Sequence, residues 1–578
     1  MVAYDLETTR IQIGTPRPLF ITAYAKDRTH YASPIRDMAH LAQILVNNFL
    51  TEELQGTRFV AWNGNRFDAY FIAAALITDR RFVMRPYMTR SKALRGLKIV
   101  RAEDGDDPNA AGWEFLDGIA MLGLVGVKLE KLLATFAPDH AKLTGVIDFE
   151  REEFNPRNPE HRRYAIRDSV GLWHAMTRAE RIMLDTFEEP LGVTMGGACI
   201  KIFSAHIPPD VTVESMIPNA RRIVNDFVMR GGYCHCARRF QGPIWKYDLN
   251  QAYAAAMREA PLPCGPMLRG DGTPSVRSPS YIVRLNAFHS TNIVPFYYRS
   301  DRGGRVQSYM GLREIHDAWI TSIELRQLIA EGWRIECLEH WQWAGHFQMR
   351  EYVDKLERLR TTCEGGPSGP IGTMIKATGN HSYGKTVEQV EPLSFVLAAE
   401  QPPDYLPYYG DEDDPIEHIY YRFDLDRRAK AHHQPQLGAF VTAHVRMVVR
   451  RAALVAPDSF LYADTDCVIF ERDVTASLDI DPKRYGAWKI EEQGTDYRII
   501  AKKVYQQVGS DKKRSAKGLN VAKLTDADFA RWFEGAPPVQ DQVQIQNFLS
   551  VMAGLTRNTR KLSGAEMYRG QRRRGTAV

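Results

Sequence analysis

Residues 459–470 read SFLYADTDCVIF, two apolar, β-prone runs that meet at Asp464-Thr465-Asp466. This pattern predicts two strands joined by a tight turn. Two aspartates on one turn repel each other unless a cation neutralises them, and carboxylate oxygens are ligands that magnesium prefers. The segment alone is also consistent with an ordinary acidic turn, because Asp favours turns through hydrogen bonds to its own backbone.

A second set of acids lies near the start of the chain. Asp5 and Glu7 are two residues apart in VAYDLETT, so on a strand both side chains project from one face. Asp68 follows the strand-like FVAWNG, and Tyr164 and Asp168 lie one helical turn apart. Phosphodiester hydrolysis uses such groups, because carboxylates can hold two cations roughly 3.5–4 Å apart that activate a water. Taken singly, Asp168 could decorate a helix and Asp68 could cap one.

The region that must position these acids reads as an α/β domain. Residues 1 to about 187 alternate strand-like runs, VAYDLETT, FVAWNG and WEFLDG, with helical stretches at 38–50 and 160–183. Residues 188–197, EEPLGVTMGG, have the composition of a joint. A second domain therefore begins after this joint.

The second region has a mixed α+β pattern. We predict a strand at 243–249, helices near 313–331 and 349–362, and a further helical run that leads to Tyr383. Residues 388 to about 427 are rich in proline and acids, which predicts an exposed excursion from the fold. The tail YRGQRRRG is predicted to be mobile.

The composition is that of a globular protein, and its basic residues cluster in two segments. The 578 residues are 44% hydrophobic and 25% charged, which excludes wholesale disorder and requires several cores. Net charge is only +5, but Lys502–Lys523 and Arg557–Arg574 each hold seven basic residues and one acid. With Tyr505 and Tyr568 nearby, these segments suit a polyanion such as DNA, although solvated basic faces would give the same pattern.

Cysteine usage and the first residues favour a cytosolic protein. Seven scattered cysteines without a C-x-x-C pair argue against a disulfide framework and for a reducing compartment. Cys234-His235-Cys236 has no second ligand pair at finger-like spacing, so a zinc site is not favoured. The start MVAYDLETTR has no signal-peptide pattern, and no run approaches eighteen apolar residues, so we expect no membrane partner.

A lysine-bearing stripe lies in GTMIKATGNHSYGKT. Lys376, Asn380 and Tyr383 are spaced i, i+4 and i+7, which places them on one face of a helix, where the lysine can meet a triphosphate. Residues 379–386 also fit G-x-x-x-x-G-K-[ST], the phosphate-binding loop of many ATPases. Such a loop follows a buried strand and opens a helix, whereas here the helical stripe precedes the match. A DNA-dependent ATPase is therefore a distant alternative.

The order D-x-E, N-x-x-x-F-D and Y-x-x-x-D resembles the three proofreading-exonuclease motifs of family B DNA polymerases, and all three are intact. The resemblance implies that four acids hold two metals, that a tyrosine orients the attacking water, and that two further residues grip the frayed 3′ end. The four acids are Asp5, Glu7, Asp68 and Asp168, the tyrosine is Tyr164, and the two residues at the 3′ end are Asn63 and Phe67. An aromatic face suits the last role because single strands stack on it.

Two further segments resemble polymerase motifs of the same family. IWKYDLNQAYAAAM is similar to the first, which implies that Asp248 binds both metals with help from the backbone carbonyl of Leu249, beside the nucleotide. Tyr253 would lie under the sugar and collide with a 2′-hydroxyl, the group that distinguishes RNA from DNA. Tyr462 to Asp466 reproduces the third motif, Y-x-D-T-D, which implies direct metal binding by Asp466 and a supporting role for Asp464.

The resemblance also assigns the nucleotide and primer contacts. Lys376 would neutralise the phosphates of the incoming nucleotide, while Asn380 and Tyr383 would line the pocket for the nascent base pair. AKKVYQQ is similar to the K-x-Y motif, so Lys503 and Tyr505 would hold the primer terminus. A plain basic strand is the alternative reading of that segment.

MRGGYCH resembles the Y-x-G-G signature that links the two activities of the family. Gly231 and Gly232 can bring backbone N–H groups close to template phosphates. The chain departs from the usual family residues at Met229, Gln251, Ala254, His381 and Cys467.

The short chain begins almost at its first exonuclease motif, which points to the protein-primed branch of the family, found in phages with linear genomes. The implied fold is a ribonuclease H-like 3′–5′ exonuclease domain, α/β, followed by an α+β right-hand polymerase domain with two insertions. The expected boundaries are exonuclease 1–187, palm 188–259 and 437–523, first insertion 260–350, fingers 351–387, second insertion 388–436, and thumb 524–578. In that branch the first insertion contacts the priming terminal protein, and the second encircles the template for processivity and strand displacement.

The resulting hypothesis is a DNA-templated DNA polymerase with 3′–5′ proofreading that replicates a linear phage or plasmid genome. Its expected cofactor is Mg²⁺, two ions per active site, with Mn²⁺ as a substitute. Its expected partners are primer-template DNA, dNTPs, a terminal protein and a single-stranded-DNA-binding protein, and we expect a monomer in the cytoplasm. Priming by DNA or self-priming is the main alternative. A DNA-binding protein with decayed sites is disfavoured because none of the motif acids is missing.

Overall fold

The computed structural model describes most of the chain. The described residues are 1–9, 16–26, 28–105, 107–147, 152–275, 278–388, 392–409, 415–424, 432–510, 512–545, 547–557 and 568–574. Within these ranges, no helix combines the length and the apolar character needed to cross a membrane.

Residues 1–187 form a mixed sheet with helices around it, as the alternating pattern predicts. Its strands are β1 (Val2–Thr8), β2 (Pro18–Ala25), β3 (Arg28–Pro34), β4 (Arg58–Ala61), β5 (Phe82–Met88), β6 (Leu94–Arg101) and β7 (Trp113–Asp117). Its helices are α1 (Met38–Asn48), α2 (Asp68–Leu76), α3 (Gly118–Leu122), α4 (Leu129–Phe136) and α5 (Pro159–Phe187). Strand β1 pairs antiparallel with β2 and parallel with β4, so it is central and its motif acids are held in a rigid position.

The long helix α5 has a clear start and end. Asn158 caps its first turn by accepting from the backbone of Glu160 at 2.9 Å, and Pro159 fits the first helical position. The helix ends at Glu188, which has a φ of 56°. It packs on β1 and β2 through the apolar face between Ala165 and Met183, which brings the Tyr164 end of the helix to the acids of β1.

Residues 188–387 hold the next elements. The helices are α6 (Met195–Ala205), α7 (Pro218–Ile223), α8 (Ala252–Glu259), α9 (Ser322–Ala330), α10 (Arg350–Thr362) and α11 (Pro370–Thr386). The strands are β8 (Tyr233–Cys236), β9 (Phe240–Leu249), β10 (Leu262–Asp271), β11 (Tyr281–Phe288), β12 (Phe296–Arg302), β13 (Arg305–Gly311), β14 (Glu314–Thr321) and β15 (Arg334–Phe347).

The remaining elements complete the sheets. The strands are β16 (Leu393–Ala398), β17 (Leu406–Pro407), β18 (Ile419–Phe423), β19 (Phe460–Thr465), β20 (Cys467–Phe470), β21 (Trp488–Ala501), β22 (Val504–Gln507), β23 (Arg514–Ala516), β24 (Val539–Ile545) and β25 (Tyr568–Arg574). The helices are α12 (Pro435–Val455), α13 (Asp526–Phe533) and α14 (Phe548–Arg557).

A seven-stranded sheet of order β23-β22-β21-β9-β20-β19-β8 is the centre of the second domain. The predicted hairpin at 459–470 is its β19–β20 pair, and β20 pairs with β9. Helices α8 and α12 pack against this sheet through a continuous apolar core. The sheet therefore places the hairpin turn beside the end of β9, where Asp248 lies.

The helix predicted over 313–331 is only half correct. Residues 314–321 form strand β14, which pairs with β11 in the four-stranded sheet β10-β15-β11-β14. Helix α9 begins only at Ser322, where Thr321 and Glu324 form a capping box. The run from Ile315 to Ile320 buries its apolar side chains against β11, so tertiary pairing overrides the helical pattern.

The segment around 388–427 was expected to be an exposed excursion, and the structure corrects this expectation. Strands β16, β17 and β18 extend the sheet of residues 1–187 into one of ten strands, through antiparallel pairing of β16 with β5. Phe395, Leu397 and Ile419 are buried in the core of that domain. The partner strand β5 is about 300 residues away, so no local pattern could indicate the pairing.

The C-terminal elements also differ from expectation. The tail predicted to be mobile forms β25, which pairs antiparallel with β24 over Val539–Ile545. Helix α14 buries Phe548 in the core of the N-terminal domain, where its ring meets the edge of Tyr70 on α2 at 5.2 Å between centroids. Helices α2 and α14, far apart in the sequence, are thus packed together.

Two candidate active sites

The first candidate site is built at the β19–β20 turn. Thr465 has a left-handed φ of 64°, and the backbone N–H of Leu249 donates to the carbonyl of Asp466 at 2.7 Å. Asp248 lies opposite Cys467 in the β9–β20 register, so Asp248 and Asp466 are neighbours. Burial and repulsion by Asp248 raise the pKa of Asp466 to about 6. The structure thus concentrates negative charge between two adjacent strands.

The third acid of this site is held by a lysine. Lys503 donates to both carboxylate oxygens of Asp464, at 2.8 and 2.9 Å, and its backbone N–H donates to the Tyr462 hydroxyl at 3.0 Å. The ring of Tyr505 meets that of Tyr462 edge-on at 5.6 Å. Asp464 is therefore already neutralised, while Asp466 has no cationic partner at salt-bridge distance within the described residues.

Asp248 has one cation nearby. The ammonium of Lys489 lies 2.8 Å from its carboxylate and 3.6 Å from that of Glu491. Lys489 lies directly across from Asp248 in the β9–β21 register, which explains the contact. Sequence reasoning did not select Lys489, because a lysine in a β-strand carries no distinguishing pattern.

The glycine pair lies against the turn. A Cβ at Gly232 would lie 2.8 Å from Thr465 Cα, so only glycine fits this approach, whereas a Cβ at Gly231 would meet open space. Arg446 donates to the carbonyls of Arg230 and Gly231 at 2.7 and 3.2 Å. Close packing on the turn thus explains Gly232 independently of any template contact.

Two tyrosines form the side wall of the turn site. Tyr253 on α8 and Tyr383 on α11 stack with centroids 4.5 Å apart and planes 26° apart. Burial raises the pKa of Tyr253, with a further contribution from the charge of Asp466. Lys376 and Asn380 are exposed on the same helix α11. The structure therefore joins the two predicted nucleotide-binding tyrosines and leaves the lysine available to solvent.

Three of the unusual residues lie in distinctive local surroundings. Gln251 has a left-handed φ of 45° at the start of α8, a conformation that is strained for glutamine. The sulfur of Met229 accepts from the Thr442 hydroxyl at 3.9 Å. The ring of His381 lies against Gly123 of the N-terminal domain: a Cβ added to Gly123 would be 2.5 Å from His381 Nε2. His381 therefore links α11 to that domain.

The second candidate site gathers the N-terminal acids. Burial and the charge of Asp168 raise the pKa of Asp5 to about 7, and burial with the charge of Asp5 raises that of Glu7. Asp68 accepts a hydrogen bond from the backbone N–H of Leu6 at 3.0 Å. Burial and, to a smaller extent, the charge of Asp5 raise the pKa of Asp68. The four acids that the sequence selects are therefore near enough for their charges to repel one another.

A lysine that sequence reasoning missed completes this cluster. The ammonium of Lys142 lies 2.5 Å from Asp168 Oδ2 and 4.9 Å from the centroid of the Tyr164 ring. Burial and the charge of Asp168 raise the pKa of Tyr164 to about 12. Lys142 lies in a loop 26 residues before Asp168, so only the fold could reveal the contact.

Asn63 and Phe67 border the cluster just before α2. The backbone N–H of Asn63, which has a φ of 68°, donates to Asp117 Oδ1 at 3.1 Å. The Phe67 ring packs edge-on against Phe71 with centroids 5.3 Å apart. Both residues thus lie next to Asp68, the first residue of α2.

The chemistry of both sites fits divalent cations. Asp168 Oδ1 is buried without a hydrogen-bond partner, counting every group that the structure describes, and Asp466 repels Asp248 across the turn. In the described ranges no three His, Cys, Asp or Glu side chains are close enough together to hold a metal ion. The acids therefore fit metals by charge and unsatisfied oxygens, and their side chains must draw together around an ion.

Two alternatives from the sequence are not supported by local structure. The P-loop match at 379–386 lies inside helix α11, so its amides are used within the helix rather than presented to a phosphate. Cys234, His235 and Cys236 lie on strand β8, where successive side chains point to opposite faces. His235 instead contacts the Tyr297 hydroxyl at 3.0 Å, and burial lowers its pKa to about 4.

Comparison with known proteins finds similarity to DNA polymerases over part of the sequence. Residues 160–401 match the family described as DNA polymerase type B, organellar and viral. The DNA polymerase of Streptococcus phage Cp-1 is 24% identical over 289 residues, a match that covers 47% of this chain and 47% of that relative. The matched part thus spans about half the length of each protein.

Solved structures of Phi29 DNA polymerase share the fold over the whole chain. The complex with primer-template DNA and incoming nucleotide has a TM-score of 0.70 at 16% identity, with 100% of both chains covered. The complex with single-stranded DNA has a TM-score of 0.67 at 16% identity and the same coverage. The expected fold class, an exonuclease domain followed by palm, fingers and thumb, is confirmed.

Proposed function

We propose, from its similarity to family B DNA polymerases, that this chain is a DNA-templated DNA polymerase with a 3′–5′ proofreading exonuclease. The observation that carries the proposal is the pair Asp248 and Asp466, brought together at the β19–β20 turn with the pKa of Asp466 raised to about 6 by burial and by Asp248. The substrates are primer-template DNA and dNTPs, as in the Phi29 complexes. The proposed domain boundaries are those expected from the sequence.

At the turn site, the primer 3′-oxygen attacks the α-phosphate in line and pyrophosphate leaves. Magnesium, bound by Asp248, Asp466 and the Leu249 carbonyl, would supply charge for this transfer, and manganese would substitute. Lys376 and Asn380 face the incoming nucleotide, with Lys376 against its triphosphate. Lys503 holds Asp464 in place, so Asp464 supports the turn rather than the substrate.

The stacked tyrosines provide sugar selection. Tyr253 is fixed by its stack on Tyr383, so its ring cannot move aside for a 2′-hydroxyl without losing that contact. Tyr505 would contact the primer, and the backbone of Gly231 and Gly232 would contact the template. Ribonucleotides are therefore rejected by a wall that is rigid before substrate binds.

In the N-terminal cluster, the acids hold the frayed 3′ nucleotide for hydrolysis. Asp5, Glu7, Asp68 and Asp168 would bind two magnesium ions, which supply an activated water. Tyr164 orients that water, Phe67 stacks on a base, and Asn63 contacts the terminal nucleotide. Lys142 keeps Asp168 in position through their 2.5 Å ion pair.

The polymerase assignment is tested by replacing Asp248 or Asp466 with Ala. We expect primer extension to fall by at least about 10³-fold, because each change removes a carboxylate that would hold magnesium at the reacting phosphate. The 3′ trimming activity of the same variants serves as the folding control and is expected to persist. Extension at a near wild-type rate would rule out the assignment.

The nuclease assignment is tested by the double variant Asp5→Ala with Glu7→Ala. We expect 3′ trimming to disappear while primer extension continues. If trimming persisted in this variant, the nuclease would have to lie elsewhere in the chain.

The proposed biological role is replication of a linear phage or plasmid genome in the cytoplasm of the host. Priming would use a terminal protein that docks on residues 260–350, and the strands within 388–436 would support processivity and strand displacement. A single-stranded-DNA-binding protein would assist, and the enzyme would act as a monomer. Incubation with labelled dATP, linear template ends and a candidate terminal protein should attach label covalently to that protein. Extension only from DNA primers would favour the alternative priming mode.

A further inference from the structure

Lys142 lies at the end of a short segment that must be fixed for it to reach the N-terminal cluster. We define the Lys142 strap as Pro138–Lys142; it follows α4 and opens with a single 3₁₀ turn over Pro138–His140. A lysine has four rotatable bonds, so holding its ammonium at Asp168 requires that the backbone of the strap be held first.

Arg167 holds the backbone of the strap directly. Its Nη2 donates to the carbonyl of Asp139 at 3.0 Å, and its Nε donates to the carbonyl of Ala141 at 3.2 Å. These two carbonyls flank His140 and immediately precede Lys142. One planar guanidinium therefore fixes both the height and the orientation of the strap over helix α5.

The middle of the strap is held by stacking and close packing. The rings of His140 and His174 are parallel, with centroids 3.7 Å apart and planes 4° apart. A Cβ at Gly171 would lie 2.9 Å from the His140 carbonyl oxygen, so glycine allows the strap to lie directly on the helix. His140 Nδ1 is buried and has no hydrogen-bond partner in the described part of the chain, so the stack holds this ring.

Arg167, Gly171 and His174 are spaced i, i+4 and i+7, so they form one stripe of α5. Asp168 lies on the same helix, one residue from Arg167. A single rigid element thus carries both the carboxylate and the anchors that bring Lys142 to it.

We propose that Arg167 and His174 are positioning residues for the exonuclease, which set Lys142 against Asp168 by anchoring the Lys142 strap. The proposal rests on the nuclease function proposed above. Arg167 reaches the strap through its two bonds to backbone carbonyls and His174 through its ring stack on His140, so each acts through the strap.

The test compares 3′ trimming of single-stranded DNA with primer extension in the full chain. In Arg167→Ala, kcat for trimming is expected to fall about tenfold while KM changes less than about twofold, because a misplaced group slows the chemical step. Primer extension should stay at the wild-type rate. Arg167→Lys, which can reach one of the two carbonyls, should recover part of the loss.

A double-mutant cycle separates positioning from a general structural role. Arg167→Ala should have no further effect on trimming in a Lys142→Ala background, since its effect passes through that lysine. Arg163→Ala is the matched control, because Arg163 is exposed on the same helix and pairs only with Glu160, at 3.3 Å, among the ion pairs described. Additive losses, or an equal loss in Arg163→Ala, would overturn the proposal.

If Arg167→Ala lost primer extension as well, His174→Leu would decide, since it removes the stack and leaves the guanidinium bonds. A selective fall in trimming kcat would support the proposal, and normal trimming would overturn it. Failure of the nuclease assignment itself is distinguished by the double variant at Asp5 and Glu7: if that variant still trims, the assignment fails whatever Arg167→Ala does.

Discussion

The two aspartates of the β19–β20 turn differ in their surroundings, although the sequence makes them look equivalent. Lys503 holds both oxygens of Asp464, whereas burial beside Asp248 raises the pKa of Asp466 to about 6. Both oxygens of Asp464 are engaged by one ammonium, whereas the described contacts of Lys489 with Asp248 and of Lys142 with Asp168 each use a single oxygen. The asymmetry inferred from the resemblance therefore has an independent physical basis.

This asymmetry predicts unequal effects of isosteric changes. We expect Asp466→Asn to lower the rate of single-nucleotide incorporation by about 10³-fold or more, because it removes a carboxylate that would hold the metal at the reacting phosphate. We expect Asp464→Asn to lower it by only about tenfold, through loss of its bond with Lys503. Rapid-quench incorporation assays measure both. Equal losses would contradict the division of roles.

The N-terminal acids predict a pH-dependent metal affinity. Burial and Asp168 raise the pKa of Asp5 to about 7, above its ordinary value of 3.8, so below pH 7 the folded site holds a proton that a metal must displace. Affinity should therefore fall as the pH falls through 7, and Mn²⁺ should bind roughly tenfold more weakly at pH 6 than at pH 8. Electron paramagnetic resonance titration measures this in the Asp248→Ala, Asp466→Ala background, which leaves only the N-terminal site.

The control for that titration is Asp5→Asn, which removes the titrating carboxylate. We expect this variant to bind Mn²⁺ more weakly, and its affinity for Mn²⁺ should change less between pH 6 and pH 8. An affinity for Mn²⁺ that is the same at both pH values in the unmodified site would show that Asp5 is ionised throughout this range.

At the scale of elements, the strands of residues 392–424 belong to the core of the N-terminal domain. Phe395 is 5% exposed and packs edge-on against Tyr408, whereas Phe423 on the neighbouring strand is 65% exposed. We expect Phe395→Ala to lower the free energy of unfolding of this domain by about 3–5 kcal/mol through the cavity it leaves. Phe423→Ala should change it by less than about 0.5 kcal/mol.

Hydrogen exchange of peptides from β5 and β16 measures this difference locally. Faster exchange of both strands in Phe395→Ala, with no change in Phe423→Ala, is the expected result. Unchanged exchange of β5 in Phe395→Ala would mean that the pairing of these two strands does not contribute to the stability of the domain.

These elements also show what a single sequence can reveal. The hairpin around Asp464 and the stripe from Lys376 to Tyr383 are local patterns, so spacing alone predicted them. The pairing of β16 with β5 depends on residues about 300 positions apart, and the helix pattern over 313–331 was overridden by pairing of β14 with β11. Lys142 was missed for the same reason, because its partner Asp168 is brought close only by the fold.

At the scale of the molecule, one buried carboxylate joins helix α9 to helix α12 and to the segment before β8. Glu324 Oε1 accepts from Arg230 at 2.6 Å and from Arg446 at 2.8 Å, and all three side chains are buried. Arg446 in turn donates to the Gly231 carbonyl, next to the glycine that packs on Thr465. The position of helix α9 is thereby linked to the geometry of the turn site.

The link predicts that Glu324→Gln impairs both stability and polymerisation. Two buried guanidinium groups would lose their only shared counter-charge among the described ion pairs, so the free energy of unfolding should fall by about 3–5 kcal/mol. Glu336→Gln, a change at an exposed position of β15, should have an effect below about 0.5 kcal/mol. Chemical denaturation measures the stability of both variants. The rates of nucleotide incorporation and of 3′ trimming are then compared at a temperature at which both variants are folded. Because the described ion pairs of Glu324 lead to Arg230 and Arg446 beside the turn site, incorporation should slow while trimming does not. Equal slowing of the two activities would mean that the network supports only the global fold.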